Sequence, residues 1–181
     1  MTRQHTPSSE GGRVFWITGL SGAGKTTIGK EFSLALKKHG PTIFLDGDIL
    51  RQVFGNDLGH TQSERKKCAM RYSRLCKMIS DQGIDVVCAT ISMFHEIHDW
   101  NRSHIKNYVE IYLKIPINIL RKRDLKGIYR QATEGKINNV MGIDLQFEEP
   151  KCPDLILAND GSQSVEEIVL ILTRTYLNTK T

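Results

Sequence analysis

Residues 14–27, with the sequence VFWITGLSGAGKTT, contain the pattern from which the fold can be predicted. The apolar run 14–17 predicts a buried strand, and residues 19–26 fit the phosphate-binding pattern GxxxxGK[ST]. Glycine has no Cβ, so successive backbone N–H groups of such a loop can turn inward and approach phosphate oxygens. A helix that begins near Thr26 adds the positive end of its dipole. Because a strand precedes the loop and a helix follows it, the pattern predicts a nucleoside triphosphate site rather than a chance glycine-rich turn.

The loop also contains two side chains with a chemical task. Lys25 is long enough to reach the β and γ phosphates, and the hydroxyl group of Thr26 is a suitable ligand for Mg²⁺. The residues expected to bind the nucleotide phosphates are Gly19, Ser21, Gly22, Ala23, Gly24, Lys25, Thr26 and Thr27.

The composition is that of a globular domain of ordinary size. The chain has 181 residues, a net charge of +5 and 39% hydrophobic residues, and it contains no run near the ~18 apolar residues of a membrane span. The positive charge suits an anionic substrate, but no basic-aromatic pattern indicates nucleic acid. Residues 1–12 are polar and lack the apolar centre of a signal peptide, so we expect a disordered tail before one domain over residues 13–181.

The four cysteines contain no CxxC pair. We therefore expect neither a zinc site nor a disulfide framework, but reduced thiols in a cytoplasmic protein without a membrane partner.

Strands alternate with helices along the whole chain. This alternation predicts a three-layer α/β domain with a five-stranded, mainly parallel sheet. Thr61 and Glu64 form a capping-box pattern at the start of one helix. The polar, glycine-containing stretch 125–150 shows little periodicity, and a stretch of that length is expected to be a functional lid. The predicted strands are 14–17, 42–45, 85–91, 108–113 and 154–158, and the main predicted helices are 26–38, 49–54, 61–82, 94–106, one from Pro116, and 165–177.

A second candidate site follows the strand at residues 42–45. Asp46 and Asp48 stand at its carboxyl end, where ligands bind in open α/β sheets. An acid there can accept a proton from a hydroxyl group and can bond Mg²⁺-bound water, as phosphoryl transfer to an alcohol requires. The alternative is a simple β-turn, because Asp-Gly-Asp is good turn chemistry. A GTPase is disfavoured, since no NKxD-like motif stands out in the sequence.

Seven ordered blocks resemble the adenylylsulfate kinase family across residues 14–177: GLSGAGKTT (19–27), LDGD with LR (45–51), DLG (57–59), IS (91–92), RDLKGIY (123–129), GID (142–144) and PDL (153–155). The resemblance implies a P-loop NTPase α/β/α sandwich, ATP and Mg²⁺ as cofactors, and a homodimer. It also implies transfer of the γ-phosphoryl group of ATP to the ribose 3′-hydroxyl of adenylylsulfate.

The family pattern implies a role for individual residues. Asp48 would be the base, Asp46 would support Mg²⁺ or its waters, and Lys25 would contact the transferred group. Arg123 and Asp124 would lie near the ATP base. Ser92 matches a serine assigned in the family as a phosphoserine intermediate, but in-line transfer needs no covalent step, and a capped loop serine is a sufficient interpretation. The implied acceptor-site residues are Asp46, Arg51, His60, Arg65, Cys68, Ile91, Ser92, Met93, Phe94, Lys126, Gly127, Val140 and Asp144.

Departures from the family pattern are concentrated in the acceptor site. His60 and Val140 stand where the family has two phenylalanines that sandwich adenine, and Cys68 replaces an asparagine. Stacking on an aromatic side chain contributes about 1–3 kcal/mol per base, so we expect a changed acceptor, preferentially cytidine diphosphoramidate. Two alternatives stay open: a genuine adenylylsulfate kinase, and a non-catalytic nucleotide-binding module. His95 and His98 share a helix face, and we expect them to face an anion or solvent rather than bind a metal.

Overall fold

The computed structural model describes residues 11–124 and 126–177, and a single five-stranded sheet runs through this part of the chain. The strand order is β2-β3-β1-β4-β5, and every neighbouring pair is parallel. The predicted parallel sheet is therefore confirmed, and it is entirely rather than mainly parallel. The strands are β1 (Val14–Thr18), β2 (Thr42–Asp46), β3 (Asp85–Ala89), β4 (Tyr108–Leu113) and β5 (Leu155–Leu157).

Helices cover the sheet as the alternating pattern predicted. Helix α1 packs with α7 and against β2 and β3, whereas α3 packs with α4 and against β3 and β1. This arrangement is the three-layer α/β/α sandwich expected from the sequence. The helices are α1 (Lys25–Lys37), α2 (Gly47–Val53), α3 (Gln62–Ser80), α4 (His95–His104), α5 (Ile117–Arg123), α6 (Ile128–Thr133) and α7 (Val165–Leu177).

The central strand β1 forms the middle of the hydrophobic core. Its residues Val14, Phe15, Trp16 and Ile17 have no solvent exposure. A continuous apolar run is needed here because helices cover both faces of a parallel sheet. Phe15 meets Phe32 of α1 edge to face, with the ring centroids 5.0 Å apart. Burial of each such side chain contributes about 1.5–3 kcal/mol, and this packing fixes the position of the loop that follows β1.

The ends of α3 form as the sequence predicted. The Thr61 hydroxyl accepts a hydrogen bond from the backbone N–H of Glu64, and the Glu64 carboxylate accepts one from the backbone N–H of Thr61. The capping box is thus confirmed. Gly83, with a φ of 82°, follows the helix in the left-handed conformation that favours glycine.

Two expectations need correction. The predicted tail includes Gly12, but this residue is buried and its N–H donates to the carbonyl oxygen of Ser80; residues 1–10 lie outside the described part of the chain. The predicted lid contains the helix α6, whose six residues are too few for a hydrophobic period to show. No helix in the described ranges is long and apolar enough to cross a membrane.

Candidate active site

A cavity of about 340 Å³ opens at the carboxyl ends of β1, β2 and β3. In the sheet, β1 lies between β3 and β4, and the connections from β1 to β2 and from β3 to β4 run in opposite directions. Ligands of open α/β sheets bind where the strand order reverses in this way. The cavity brings together most of the residues predicted from the sequence. These are Ser21, Gly22, Gly24, Lys25, Thr26, Thr27, Asp46, Asp48, Arg51, His60, Arg65, Cys68, Ile91, Ser92, Phe94, Lys126 and Val140.

The phosphate loop has the backbone shape that its glycines predict. Gly22 and Gly24 have φ values of 78° and 90°, which side chains with a Cβ rarely adopt. Lys25 begins α1, and its Nζ donates to the carbonyl oxygen of Leu20 at 2.8 Å. Burial lowers the pKa of Lys25 to about 8, although the carboxylates of Asp48 and Asp46 oppose this shift.

The Thr26 hydroxyl and the Asp46 carboxylate meet beside the loop. Thr26 Oγ1 donates to Asp46 Oδ2 at 2.6 Å. The other oxygen of Asp46 accepts from the backbone N–H groups of Asp48 and Ile49, so Asp46 is the N-cap of α2. A hydroxyl oxygen and a carboxylate oxygen are the hard ligands that Mg²⁺ prefers. This donor set therefore fits the implied ion.

Dedicated metal cages have a different composition. Within residues 11–124 and 126–177, no group of three or more His, Cys, Asp and Glu side chains is placed to hold a metal ion. Mg²⁺ at kinase sites usually takes one or two protein ligands and fills its other positions with waters and substrate phosphates. A site made from Thr26 and Asp46 is consistent with that preference.

Asp48 lies at the mouth of the cavity and pairs with the predicted lid. Lys126 Nζ lies 2.6 Å from Asp48 Oδ2, and the Asp48 side chain is 72% exposed. Partial burial raises the pKa of Asp48. The hydrogen bond and charge of Lys126, together with the charges of Lys25 and Arg51, lower it by more, so the pKa lies below its usual value. The carboxylate is therefore ionised at neutral pH, as a proton acceptor must be.

The two predicted anion-binding arginines also organise loops. Nη1 of Arg51 donates to the carbonyl oxygens of Leu58 and Gly59. Arg65 donates from Nε to the carbonyl oxygen of His60 and from Nη2 to that of Asn139. Both guanidinium groups line the cavity, and each uses part of its fork of donors to hold the backbone near His60.

The loop after β3 forms the floor of the cavity. The hydroxyl oxygens of Thr90 and Ser92 lie 2.8 Å apart and both residues are buried. Ser92 has a φ of 21°, an uncommon conformation for a residue other than glycine. The hydroxyl group of Ser92 thus has a neighbouring partner, as a structural loop serine requires. That Ser92 forms no phosphoserine intermediate stays a prediction.

A short hydrogen-bond chain joins α3 to α2 at Cys68, one of the predicted acceptor-site residues. Cys68 Sγ donates to the hydroxyl oxygen of Tyr72 at 2.9 Å, and Tyr72 donates to the carbonyl oxygen of Gly47 at 3.0 Å. Burial raises the pKa of Tyr72 well above its usual value, so its hydroxyl group remains a donor. The sequence singled out Cys68 only by its position in the family pattern.

Several cavity residues were not predicted from the sequence. Gly47 and Ile128 lie within two of the seven sequence blocks but were given no role, and the other side chains belong to no motif; their place in the cavity shows only in the structure. They are Gly47, Tyr72, Ala89, Thr90, Ile128 and Met141.

Other predicted site residues lie outside the cavity lining. Met93 is fully buried in the core. The Asp144 carboxylate accepts from the backbone N–H groups of Asn139 and Val140 at 2.6 and 2.7 Å, so it holds the backbone beside Val140, which lines the cavity. The remaining residues of this kind are Gly19, Ala23, Arg123, Asp124 and Gly127.

His98 faces an anion, one of the two expected alternatives, but that anion is a buried carboxylate of the chain itself. His98 is buried, its Nε2 lies 3.0 Å from the carbonyl oxygen of Ser92, and its Nδ1 lies 2.9 Å from Glu110 Oε1. Glu110, on β4, also meets Arg102 at 3.0 Å. His95 is partly exposed, and its Nδ1 lies 3.6 Å from the Glu148 carboxylate. The burial of His98 was not expected, because a helix face alone does not show which strand packs against it.

Comparisons with known proteins agree with this geometry. A model of the adenylylsulphate kinase family matches residues 11–158. The cytidine diphosphoramidate kinase of Campylobacter jejuni is 40% identical over 162 residues, which are 89% of this chain and 94% of that protein. The adenylyl-sulfate kinase of Halothermothrix orenii is 39% identical over 157 residues, 86% of this chain and 84% of that protein.

A solved structure of an adenylylsulfate (APS) kinase is also similar to this chain. The Mycobacterium tuberculosis APS kinase in complex with AMPPNP and APS has a TM-score of 0.82 and 30% identity, covering 90% of this chain and 95% of its own. The order of the seven sequence blocks, the cavity at the carboxyl ends of the strands and these likenesses lead to one conclusion. The chain belongs to the adenylylsulfate kinase family and is a phosphotransferase that acts on a hydroxyl group.

Proposed function

We propose that this protein uses ATP and Mg²⁺ to phosphorylate the ribose 3′-hydroxyl group of cytidine diphosphoramidate. The observation that carries the proposal is the acceptor end of the cavity, where His60, Cys68 and Val140 form part of the lining. His60 and Val140 replace the two aromatic rings that the family uses against adenine. The similarity to the Campylobacter jejuni enzyme supports the same acceptor, although the adenylyl-sulfate kinases are almost equally similar.

The proposed chemistry is one in-line transfer. The acceptor oxygen forms a bond to the γ-phosphorus as the bond from that phosphorus to the bridging oxygen of ADP breaks. The proton of the acceptor hydroxyl group passes to the ionised carboxylate of Asp48. Lys25 places positive charge beside the β and γ phosphates, where negative charge accumulates.

The magnesium ion has a defined place in this proposal. Thr26 and Asp46 would hold it, directly or through water, and it would neutralise charge on the phosphate oxygens. Asp46 is already fixed by two backbone N–H groups, so its carboxylate offers an oriented oxygen to the ion or to its waters.

Arg51 and Arg65 would hold the anionic diphosphate portion of the acceptor. Their guanidinium groups retain donors beyond those bound to loop carbonyl groups, since each has five N–H donors in a planar fork. Lys126 joins them from the lid and lies against Asp48. An anionic acceptor would therefore meet three cations near the base.

The decisive experiment is a panel of acceptors with ATP and Mg²⁺. ADP formation is followed with cytidine diphosphoramidate, adenylylsulfate, and plain adenine and cytosine nucleotides, and mass spectrometry locates the new phosphoryl group. We expect the cytidine compound to have the highest kcat/KM. A higher kcat/KM for adenylylsulfate would refute the proposed acceptor and favour the second candidate, a genuine adenylylsulfate kinase.

A pair of substitutions tests the physical reason. His60→Phe with Val140→Phe puts aromatic rings back at both positions, and we expect a gain of tenfold or more in the preference for adenylylsulfate, since each stacking contact contributes about 1–3 kcal/mol. The matched control is Val53→Phe, which adds a ring at an exposed position on α2 outside the cavity. An unchanged preference in the double variant would show that these two positions do not select the base.

Two further expectations complete the proposal. The family resemblance supports a homodimer, which light scattering on the purified protein tests directly; a monomeric mass at assay concentration would refute it. We also propose a cytoplasmic location, because both nucleotide substrates belong to that compartment; fluorescence microscopy of a tagged chain checks it.

A further inference from the structure

Three carbonyl oxygens of the phosphate loop accept hydrogen bonds from side chains. Lys25, within the loop motif, donates to Leu20. The other two donors are distant in sequence: the Tyr129 hydroxyl group donates to the carbonyl oxygen of Ser21 at 2.8 Å, and Asn159 Nδ2 donates to that of Ala23 at 3.0 Å. Tyr129 and Asn159 lie outside the cavity lining, so nothing in the proposed chemistry accounts for them.

Tyr129 reaches the loop from the lid helix α6. Tyr129 is 2% exposed, and burial, with the charge of Asp124, raises the pKa of its hydroxyl group to about 12, although the charge of Arg121 opposes this shift. The hydroxyl group is therefore protonated and can donate throughout the neutral range. The Asp124 carboxylate accepts from the backbone N–H groups of Tyr129 and Arg130, which holds the start of α6 in place.

Asn159 reaches the loop from the segment that follows β5. A Cβ on Gly24 would lie only 2.3 Å from Asn159 Nδ2. The amide group is therefore packed directly against the loop backbone at the residue whose φ of 90° turns the chain into α1. This contact gives a reason for glycine at position 24 that is independent of the phosphates.

Peptide geometry connects these contacts to nucleotide binding. The C=O of one residue and the N–H of the next belong to one planar trans unit and point in opposite directions. A hydrogen bond that fixes the carbonyl group of Ser21 thus orients the N–H of Gly22, and one that fixes Ala23 orients the N–H of Gly24. Both N–H groups belong to the segment that cradles phosphates in this motif.

We propose that Tyr129 and Asn159 are positioning residues for ATP, which hold the peptide groups 21–22 and 23–24 with their N–H groups directed toward the phosphates. Through Tyr129, the lid helix is also attached to the phosphate loop. The proposal rests on ATP as the phosphoryl donor and is independent of which acceptor the enzyme uses.

The test measures ATP binding by calorimetry in the presence of Mg²⁺ and without any acceptor. Tyr129→Phe keeps the ring and removes the hydroxyl group, and Asn159→Leu keeps the approximate shape and removes the donor. We expect each to raise the Kd for ATP roughly threefold to tenfold, the loss expected for one hydrogen bond. Tyr176→Phe is the control, because its ring packs on Phe15, away from the loop, and its Kd should stay within twofold.

The melting temperature of each variant separates positioning from general stability. A purely structural role would lower the melting temperature and leave the Kd for ATP unchanged at a temperature where the protein is folded, and that result would overturn the proposal. An equal rise in Kd for Tyr176→Phe would overturn it as well. Because no acceptor is present, failure of this test and failure of the proposed acceptor are distinguishable.

Discussion

Replacement of Asp48 by asparagine tests the base most directly. Asparagine keeps the size of the side chain and an oxygen for Lys126 but cannot accept the proton of the acceptor hydroxyl group. Loss of a general base typically lowers kcat by about 10²- to 10⁴-fold, or roughly 3–5 kcal/mol in the barrier. The side chain is 72% exposed, and an exposed ion pair contributes only about 0–1 kcal/mol to stability. We therefore expect kcat to fall strongly while the free energy of unfolding stays nearly unchanged.

The assay compares kcat, the Kd for ATP and the free energy of unfolding at pH 7. Asp48 raises the pKa of Lys25, so its loss should weaken ATP binding only slightly at a pH where Lys25 stays largely protonated. Asp81→Asn is the matched control, because Asp81 also meets a lysine at 2.6 Å, at the far end of α3. If Asp48→Asn retained more than a tenth of the parent kcat, the carboxylate would not be the base.

Two further predictions concern buried charges. Because the pKa of Lys25 is lowered to about 8, its ammonium group is lost as the pH rises through that value, and ATP binding measured by calorimetry should weaken about tenfold from pH 7 to 9; Lys25→Met should show a weak, pH-independent Kd, and a parent Kd that stays constant would contradict this reasoning. His98→Leu removes the ring nitrogen that lies 2.9 Å from the buried Glu110 Oε1 and leaves that oxygen without this polar neighbour, so urea unfolding should show a loss of about 1–3 kcal/mol in the free energy of unfolding, against roughly 0.5 kcal/mol or less for the exposed His39→Leu; equal losses in the two variants would exclude a stabilising contact between His98 and Glu110.

Most of the fold could be predicted because its signals are local. The strands at 14–18 and 108–113 are short apolar runs between turn residues, and the structure places them within one residue of the prediction. The capping box of Thr61 and Glu64 lies within four residues of sequence and predicts the start of α3. Helix α6 was missed, because six residues cannot display a 3.6-residue period and its start depends on the Asp124 carboxylate.

The candidate site divides in the same way. The glycines of the phosphate loop and the pair Asp46 and Asp48 carry their chemistry in their spacing, so a linear pattern is enough to find them. Met93 and His98 show the limit of that approach. The family pattern placed Met93 at the acceptor site, and the helix face placed His98 beside an anion or solvent, but both side chains are buried in the structure. Whether a side chain faces the cavity or the core depends on which element packs against it.

Three features could be predicted from residue type and spacing along the chain alone: the phosphate-binding loop, the alternation of strands and helices, and the two acids after β2. Other contacts became visible only in the folded chain: Lys126 meets Asp48, His98 meets Glu110, and Tyr129 and Asn159 donate to the loop from 108 and 136 residues away. Such contacts depend on which surfaces the packed layers bring together, and chain packing leaves no local signal of its own.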